Sequence, residues 1–330
     1  MKKFLAILLA FAMIFAFAAC GDKASDPAAS NDGDKKVTGN LTFATGGEAG
    51  TYYAYGTVLA QYVSNNTGVN VTAITGNGSK SNIEDIDAGD VELGFCQSDV
   101  MSYAYQGKSL FETPVDSFSA VCALYMEDVQ IVTCDPSIKT VADLKGKTVS
   151  VGAAGSGTYF NAVDCLSVYG LDVEKDITAV YQSFGDSTES LKDNKIDAAF
   201  VVAGAPTTSI TDLSTSKQAY IVSLDDEHID KLIAMSPYYS KHVIPAGTYG
   251  DAPEATTVAV AAMVLAADSV DEDVIYTFIS TIFENKAAVA DAHAKGNDLD
   301  LAFASSVTAV PFHAGAAKYF AENGITVKTK

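Results

Sequence analysis

From Leu41 to the C-terminus, short β-rich runs alternate with longer amphipathic ones, and several joints between them are tight turns of glycine and hydroxyl residues. Runs of period 2 separated by segments of helical period are the pattern of an α/β protein with parallel strands. LTFAT (41–45) reads as a strand, and the next stretch places Tyr52, Tyr55, Leu59, Tyr62 and Val63 at helical spacing. VNVTAIT (69–75), VELGFCQ (91–97) and the long SAVCALYMEDVQIVTC (119–134) are strands, the last with Glu127–Asp128 in its middle. SNIEDIDAG (81–89) and DVMSYAYQG (99–107) read as short helices between them.

A second set follows. Residues 140–171 run as a helical turn, a strand, a Gly-rich loop and a helix; ITAVYQ (177–182) and IDAAFVVAG (196–204) are strands with SLKDN (190–194) on a helix between them. AYIVSLD (219–225) is another strand, followed by a polar stretch punctuated by Pro237, Pro245 and Pro253. TTVAVAAMVLA (256–266) returns as a strand, DEDVIYTFISTIFENKAAVADAH (271–293) is one long amphipathic helix, and VPFHAGAAKYFAENG (310–324) closes the chain as a helix. Two α/β sets joined by two long strands describe a two-lobed binding protein, with 41–128 and 250–330 in lobe 1 and 129–249 in lobe 2. Ligands of such sheets sit where strand C-ends meet helix N-ends.

Charge narrows the partners. Over 330 residues, 21 basic residues face 41 acidic ones, for a net charge of −20, and every basic residue is lysine. So acidic a surface repels phosphate backbones, which excludes a nucleic-acid partner. With no arginine in the chain, a guanidinium fork on a carboxylate is excluded too. Whatever is gripped is gripped by lysine, hydroxyls, amides, aromatics and backbone N–H groups.

The N-terminus carries an address. Lys2 and Lys3 precede an uncharged apolar run from Phe4 to Ala19, too short for a bilayer span of about 20 residues and of secretory-signal form. Ala18 and Ala19 before Cys20 resemble a bacterial lipoprotein box, so residues 1–19 are expected to be a signal peptide and Cys20 the lipidated residue; an ordinary signal or a short anchor is the alternative. Residues 20–40, small, polar and charged, read as a flexible tether. Of the remaining cysteines, Cys122 and Cys134 would lie roughly 40 Å apart along one strand, too far to bridge. Cys96, Cys122, Cys134 and Cys165 all sit in apolar runs and are expected as buried free thiols. No CxxC or His–Cys spacing suggests a metal site, and no cofactor motif appears.

Three strand-to-helix turns are built to hold a ligand. Thr45-Gly46-Gly47-Glu48-Ala49-Gly50-Thr51-Tyr52-Tyr53 follows the first strand, Gly76-Asn77-Gly78-Ser79 the second, and Gly152-Ala153-Ala154-Gly155-Ser156-Gly157-Thr158 the first strand of the second set. Each places unpaired N–H groups and a hydroxyl at a helix N-terminus, which favours an anion. The same residues also serve as plain turn and cap chemistry. Tyr52 and Tyr53 would wall a pocket, one of them being core because Tyr52 falls on the apolar stripe. Gln97-Ser98-Asp99, at a strand C-end, offers an amide, a hydroxyl and a carboxylate, the last to receive a ligand ammonium or to cap the next helix.

Enzyme motifs fail on these loops. GAAGSGT lacks the P-loop lysine, Phe160 stands where GxGxxG needs its third glycine, and Ala154 breaks GxSxG around Ser156. His228, His242, His293 and His313 are scattered, and His313, ahead of the last helix, reads as a packed or capping residue. No catalytic residue is assigned, and the chain is read as not an enzyme.

The segments TGGEAGTYYAYG (45–56), GNGSKSNI (76–83), GFCQSDV (94–100), VGAAGSGT (151–158), KIDAAFVVAGAPT (195–207) and VPFHAGAAKYFAENG (310–324) together resemble the solute receptors of TAXI-type TRAP transporters, in that family's order. The resemblance implies a type II periplasmic-binding-protein fold, two α/β lobes joined by two crossover strands with a ligand cleft between them. It also implies a monomeric receptor at the extracytoplasmic face, lipid-anchored or periplasmic. Its partner would be an ion-gradient-driven membrane carrier and its ligand a small carboxylate such as glutamate, glutamine or 2-oxoglutarate. By position it implies Thr45, Gly46, Tyr53, Ser79, Asn82, Gln97 and Ser98 on the first lobe. On the second it implies Ser156, Gly157, Thr158, Asn161 and the loop Gly204, Ala205, Pro206, with Tyr249 of the return segment near the cleft. Ala205 stands where that family often has a larger residue, which bears on ligand class. The alternatives are a binding protein of the same fold for an ATP-driven (ABC) importer or a sensor kinase, and an extracytoplasmic cleft enzyme.

Overall fold

The computed structural model describes residues 37–330; the signal peptide, Cys20 and the tether as far as residue 36 lie outside the described residues. The first half of the chain builds β1 (Gly39–Ala44), α1 (Thr51–Asn66), β2 (Val69–Ile74), α2 (Ser79–Ala88), β3 (Leu93–Gln97), α3 (Ser98–Gln106) and the long β4 (Phe118–Thr133). Then come β5 (Thr148–Ser150), α4 (Gly157–Val168), β6 (Thr178–Val180), α5 (Phe184–Lys192), β7 (Ala198–Ala203), α6 (Thr208–Ser216), β8 (Tyr220–Ile221), α7 (Asp226–Met235) and β9 (Ser240–Ile244). The long β10 (Ala255–Ala267) returns, and α8 (Glu272–Glu284), α9 (Lys286–Ala292), α10 (Leu301–Ala304) and α11 (Ala314–Glu322) close the chain.

Every strand-to-helix unit read from the alternation is present, and each follows from its spacing. In α1, Tyr55, Leu59 and Val63 recur every four residues and are fully buried, one stripe pressed on the sheet. The sheet is mixed rather than wholly parallel. Its order is β2-β1-β3-β10-β4-β7-β5-β6, with β8 on β4 and β9 on β10. The flanking pairs are parallel, while β10 and β4 run antiparallel to each other and to their neighbours.

Three differences from the sequence reading have local causes. The polar stretch after 225 contains α7 and β9, and α6 was not anticipated at all. The single helix expected over 271–293 is interrupted at Asn285, whose φ −115° and ψ 30° are not helical. AYIVSLD contributes only the two-residue β8.

The two long strands connect distinct cores. Side chains of β4 up to Tyr125 pack with residues 41–122 and 261–320. From Val129 onward they pack in clusters drawn from 129–260. β10 changes core between Val260 and Ala261, and Val260 pairs with Glu127. Both strands therefore cross at one level, and residues 252–260, expected with lobe 1, pack with lobe 2.

Candidate functional site

Beside that crossing lies a cavity of about 140 Å³, walled by both lobes. Four helices aim their N-terminal turns at it: α1 and α2 from the first lobe, α4 and α5 from the second. First-turn N–H groups have no partner within their own helix. Ser156 caps α4 by accepting from the Tyr159 N–H (3.3 Å), and Ser183 caps α5 by accepting from the Asp186 N–H (3.1 Å). α1 and α2 begin at Gly50 and Gly78 with no side-chain cap. Among the described residues, neither a lysine nor a histidine lines it.

Of the residues expected from the sequence, Gly46, Gly47, Thr51, Tyr52, Gly78, Ser79, Gln97, Ser156, Gly157 and Thr158 line this cavity. Tyr52 rather than Tyr53 is the wall: its ring stacks on Phe95 at 4.5 Å, and Tyr53 is absent from the lining. Gln97 is 2% exposed and its Oε1 has no hydrogen-bond partner among the described residues.

The other expected residues are placed around the cavity, not in it. Thr45 donates its hydroxyl to the Ile74 carbonyl (2.6 Å). Asn82 clips two strands, donating its amide to the Thr45 (2.7 Å) and Phe95 (2.8 Å) carbonyls. Ser98 accepts from the Ala261 N–H (3.1 Å), tying β10 down. Gly155 offers its carbonyl to the N–H groups of Lys80 and Ser81 across the lobes, both at 3.1 Å. Gly204 accepts from the Thr51 hydroxyl (3.2 Å) and, with Ala205 and Pro206, lines a separate gap beside Lys295. Tyr249 is buried inside lobe 2, accepting from the Thr207 N–H (2.9 Å), and does not reach the cleft.

Asp99 and Asn161, outside the lining of this cavity, form an interlobe latch. The Asn161 amide donates to Asp99 (2.8 Å) and to the Tyr239 hydroxyl (2.8 Å), which donates in turn to Asp164 (2.9 Å). Burial, reinforced by Asp164, raises the Asp99 carboxyl to about 7.

Glu127 is the buried acid in the cavity wall, which the exposed Glu48 also lines, and no role was read for it in the sequence. It is 1% exposed, accepts from the Tyr52 hydroxyl (2.9 Å), and is raised to about 8 by its burial. Ser183, Phe184 and Gly185 of α5 were missed as well. Sequence signals existed for both: two acids inside an apolar strand, and a serine at a helix start.

The expected buried thiols are free; Cys96, Cys122 and Cys165 are buried and Cys134 partly so. His313 caps α11, accepting from the Gly315 N–H (3.3 Å). Among the described residues no helix is long and apolar enough to cross a membrane, and no group of His, Cys, Asp and Glu is placed to hold a metal.

A model of the NMT1-like family matches residues 43–324. Among solved structures, a protein from Bordetella bronchiseptica RB50 is 17% identical, with 77% of this chain and 75% of that one covered at a TM-score of 0.51. One described as a periplasmic transporter is 16% identical, with 78% and 87% covered at 0.50. The alkanesulfonate-binding protein SsuA from Xanthomonas axonopodis pv. citri, bound to MOPS, is 14% identical, with 86% and 90% covered at 0.47. The fold is the type II periplasmic-binding-protein fold, as the sequence resemblance implied.

Proposed function

The chain belongs to the NMT1-like family, and on that footing we propose that it is an extracytoplasmic solute receptor that shuts two lobes on a small carboxylate and delivers it to a membrane importer. The carrying observation is the convergence of four helix N-termini, two from each lobe, on one cavity without a lysine or histidine in its lining. Each such end carries roughly half a positive charge, and its first-turn N–H groups are donors except where a serine caps Tyr159 and Asp186 or the Gly155 carbonyl takes Lys80 and Ser81. Together they supply what a guanidinium fork supplies elsewhere, in a chain that has no arginine. Capture is by closure at the crossing of β4 and β10, driven by contacts that the ligand makes only with the lobes together.

Serines line the cavity with no histidine beside them, which supports capture over turnover. Lys2, Lys3, the apolar run and Cys20 support export and a lipid anchor. For the membrane partner, the match to the NMT1-like family gives no specific support to an ion-gradient-driven TRAP carrier. The ATP-driven importer is therefore the reading we favour, with an ATPase gene expected beside this one and a fused many-span carrier gene as the contrary finding.

The test is a thermal-shift screen on protein unfolded and refolded to strip carried-over ligand, using mono- and dicarboxylates, 2-oxo acids, amino acids and sulfonates. One anionic class is expected to raise the melting temperature, since a ligand at a hundredfold over its dissociation constant adds about 2.7 kcal/mol. No rise with any anionic solute overturns the proposal.

A further inference from the structure

Resting on the reading of this cavity as an anion-receiving solute site, we propose that Glu127 makes it specific for a zwitterion: the solute sets a protonated amine on Glu127 while its carboxylate meets the helix N-termini. Glu127 sits in the middle of β4, opposite Val260 of β10, where both strands pass from one core to the other. Successive strand residues face opposite ways. Asp128 accordingly faces away, toward His242, which is within ion-pair distance. Glu127 faces the cavity, and its partners among the described residues are two phenols: the Tyr52 hydroxyl at 2.9 Å on one oxygen and the Tyr125 hydroxyl at 3.4 Å on the other.

A buried carboxyl held neutral does no more for two phenols than a glutamine would, so its capacity to ionise goes unused until a cation reaches it. Lys295 is engaged elsewhere, 3.2 Å from Asp298 and over the Tyr125 ring at 5.4 Å. An ammonium ion supplies the missing charge and fresh donors. A solute that is only anionic would instead leave Glu127 protonated and its capacity to ionise unused. The charged and titratable groups around Glu127 are the Tyr52 and Tyr125 hydroxyls, the Cys96 thiol, Asp99, which holds its carboxyl up, and Lys295, which draws it down, with the exposed Glu48 lining the same cavity. Burial keeps Glu127 mostly protonated at pH 7, so an arriving ammonium ionises it and a proton leaves to solvent.

The experiment is calorimetric titration of the refolded full chain at pH 7, in two buffers of different ionisation enthalpy, with skeleton-matched pairs: L-glutamate against 2-oxoglutarate and L-alanine against pyruvate. The amino member of a pair is expected to bind at least tenfold more tightly and to release most of one proton. Glu127→Gln should weaken that member at least tenfold and abolish the release, with a ligand-free melting temperature at pH 7 no lower than the parent's. The proton count on the parent protein stands without the variant. If the oxo acid binds as well or better, or if binding releases no proton, the zwitterion proposal falls while the anion reading survives. If no member of either pair and no other carboxylate binds, the underlying reading falls and takes this proposal with it.

Discussion

Gly157→Val is expected to abolish solute capture at concentrations that saturate the parent protein, while shifting the ligand-free melting temperature by only a few °C. A Cβ on Gly157 would stand 2.0 Å from Gln97 Oε1 and 2.5 Å from both Gln97 Cδ and Ser79 Oγ, all on the opposite lobe. Neither neighbour retreats easily: Ser79 begins α2, and its hydroxyl accepts from the Gln97 N–H at 3.1 Å. Within its own lobe Gly157 is merely the first residue of α4, in a backbone conformation open to other residues. The clash therefore falls on the closed form alone. Overpacking of this kind costs about 1–3 kcal/mol, so even Gly157→Ala should lose about 5- to 150-fold in affinity, and valine more. Calorimetric dissociation constants with melting curves on both variants decide it. An alanine variant that binds like the parent would mean that Ser79 and Gln97 do not close on this position in the loaded state.

The ligand-free protein is expected to be more stable at pH 5 than at pH 8. Asp99 and Glu127 are raised to about 7 and about 8, chiefly by burial. A carboxyl held up in the folded state contributes stability fully present below its unfolded value, and loses it as pH rises through the folded one. The loss should therefore run from about pH 4 to 8, at up to about 1.4 kcal/mol per unit for each fully buried group. His242, raised by Asp128, works in the same direction, whereas burial lowers His293 and His313, which oppose it. Asp225, lowered to about 2 by hydrogen bonds from His228 and Tyr169 that outweigh its desolvation, is ionised throughout and adds no slope. Melting temperatures across this range should fall by several °C in the parent and flatten in Asp99→Asn and Glu127→Gln. A flat parent curve would place Asp99 in water, with the Asn161 latch undone.

How far the fold was legible can be traced to individual segments. Strands and helices with strong apolar periodicity, such as β1 to α3 and both crossing strands, follow from residue spacing alone. α6 escaped because Thr208–Ser216 is mostly hydroxyl residues, with only Ile210 and Leu213 as large apolar groups on its buried face. The break at Asn285 escaped because the apolar pattern continues across it and tertiary packing decides the bend.

In the site, the glycine and hydroxyl turns were readable because a helix N-terminus approached by ligand needs small residues there. α5 was not, since Ser183-Phe184-Gly185 carries too little glycine to stand out. Asn82, Asn161 and Asp99 look like ligand groups in a sequence, yet the two amide N–H groups and one Asp99 oxygen go to the scaffold and the latch, with the Oδ1 of each left without a partner among the described residues. Glu127 was visible as an acid in an apolar strand. Which of Glu127 and Asp128 faces the cleft is decided only when two lobes meet around β4, and alternation by itself cannot tell one face from the other.

The most direct measurement is a crystal structure of the refolded protein with the carboxylate that stabilises it most. The expected result is the carboxylate within hydrogen-bond distance of backbone N–H groups at the first turns of α1, α2, α4 and α5, between closed lobes. A carboxylate held by a lysine, or density in the gap beside Lys295 and Pro206 with the central cavity empty, would contradict recognition by helix N-termini.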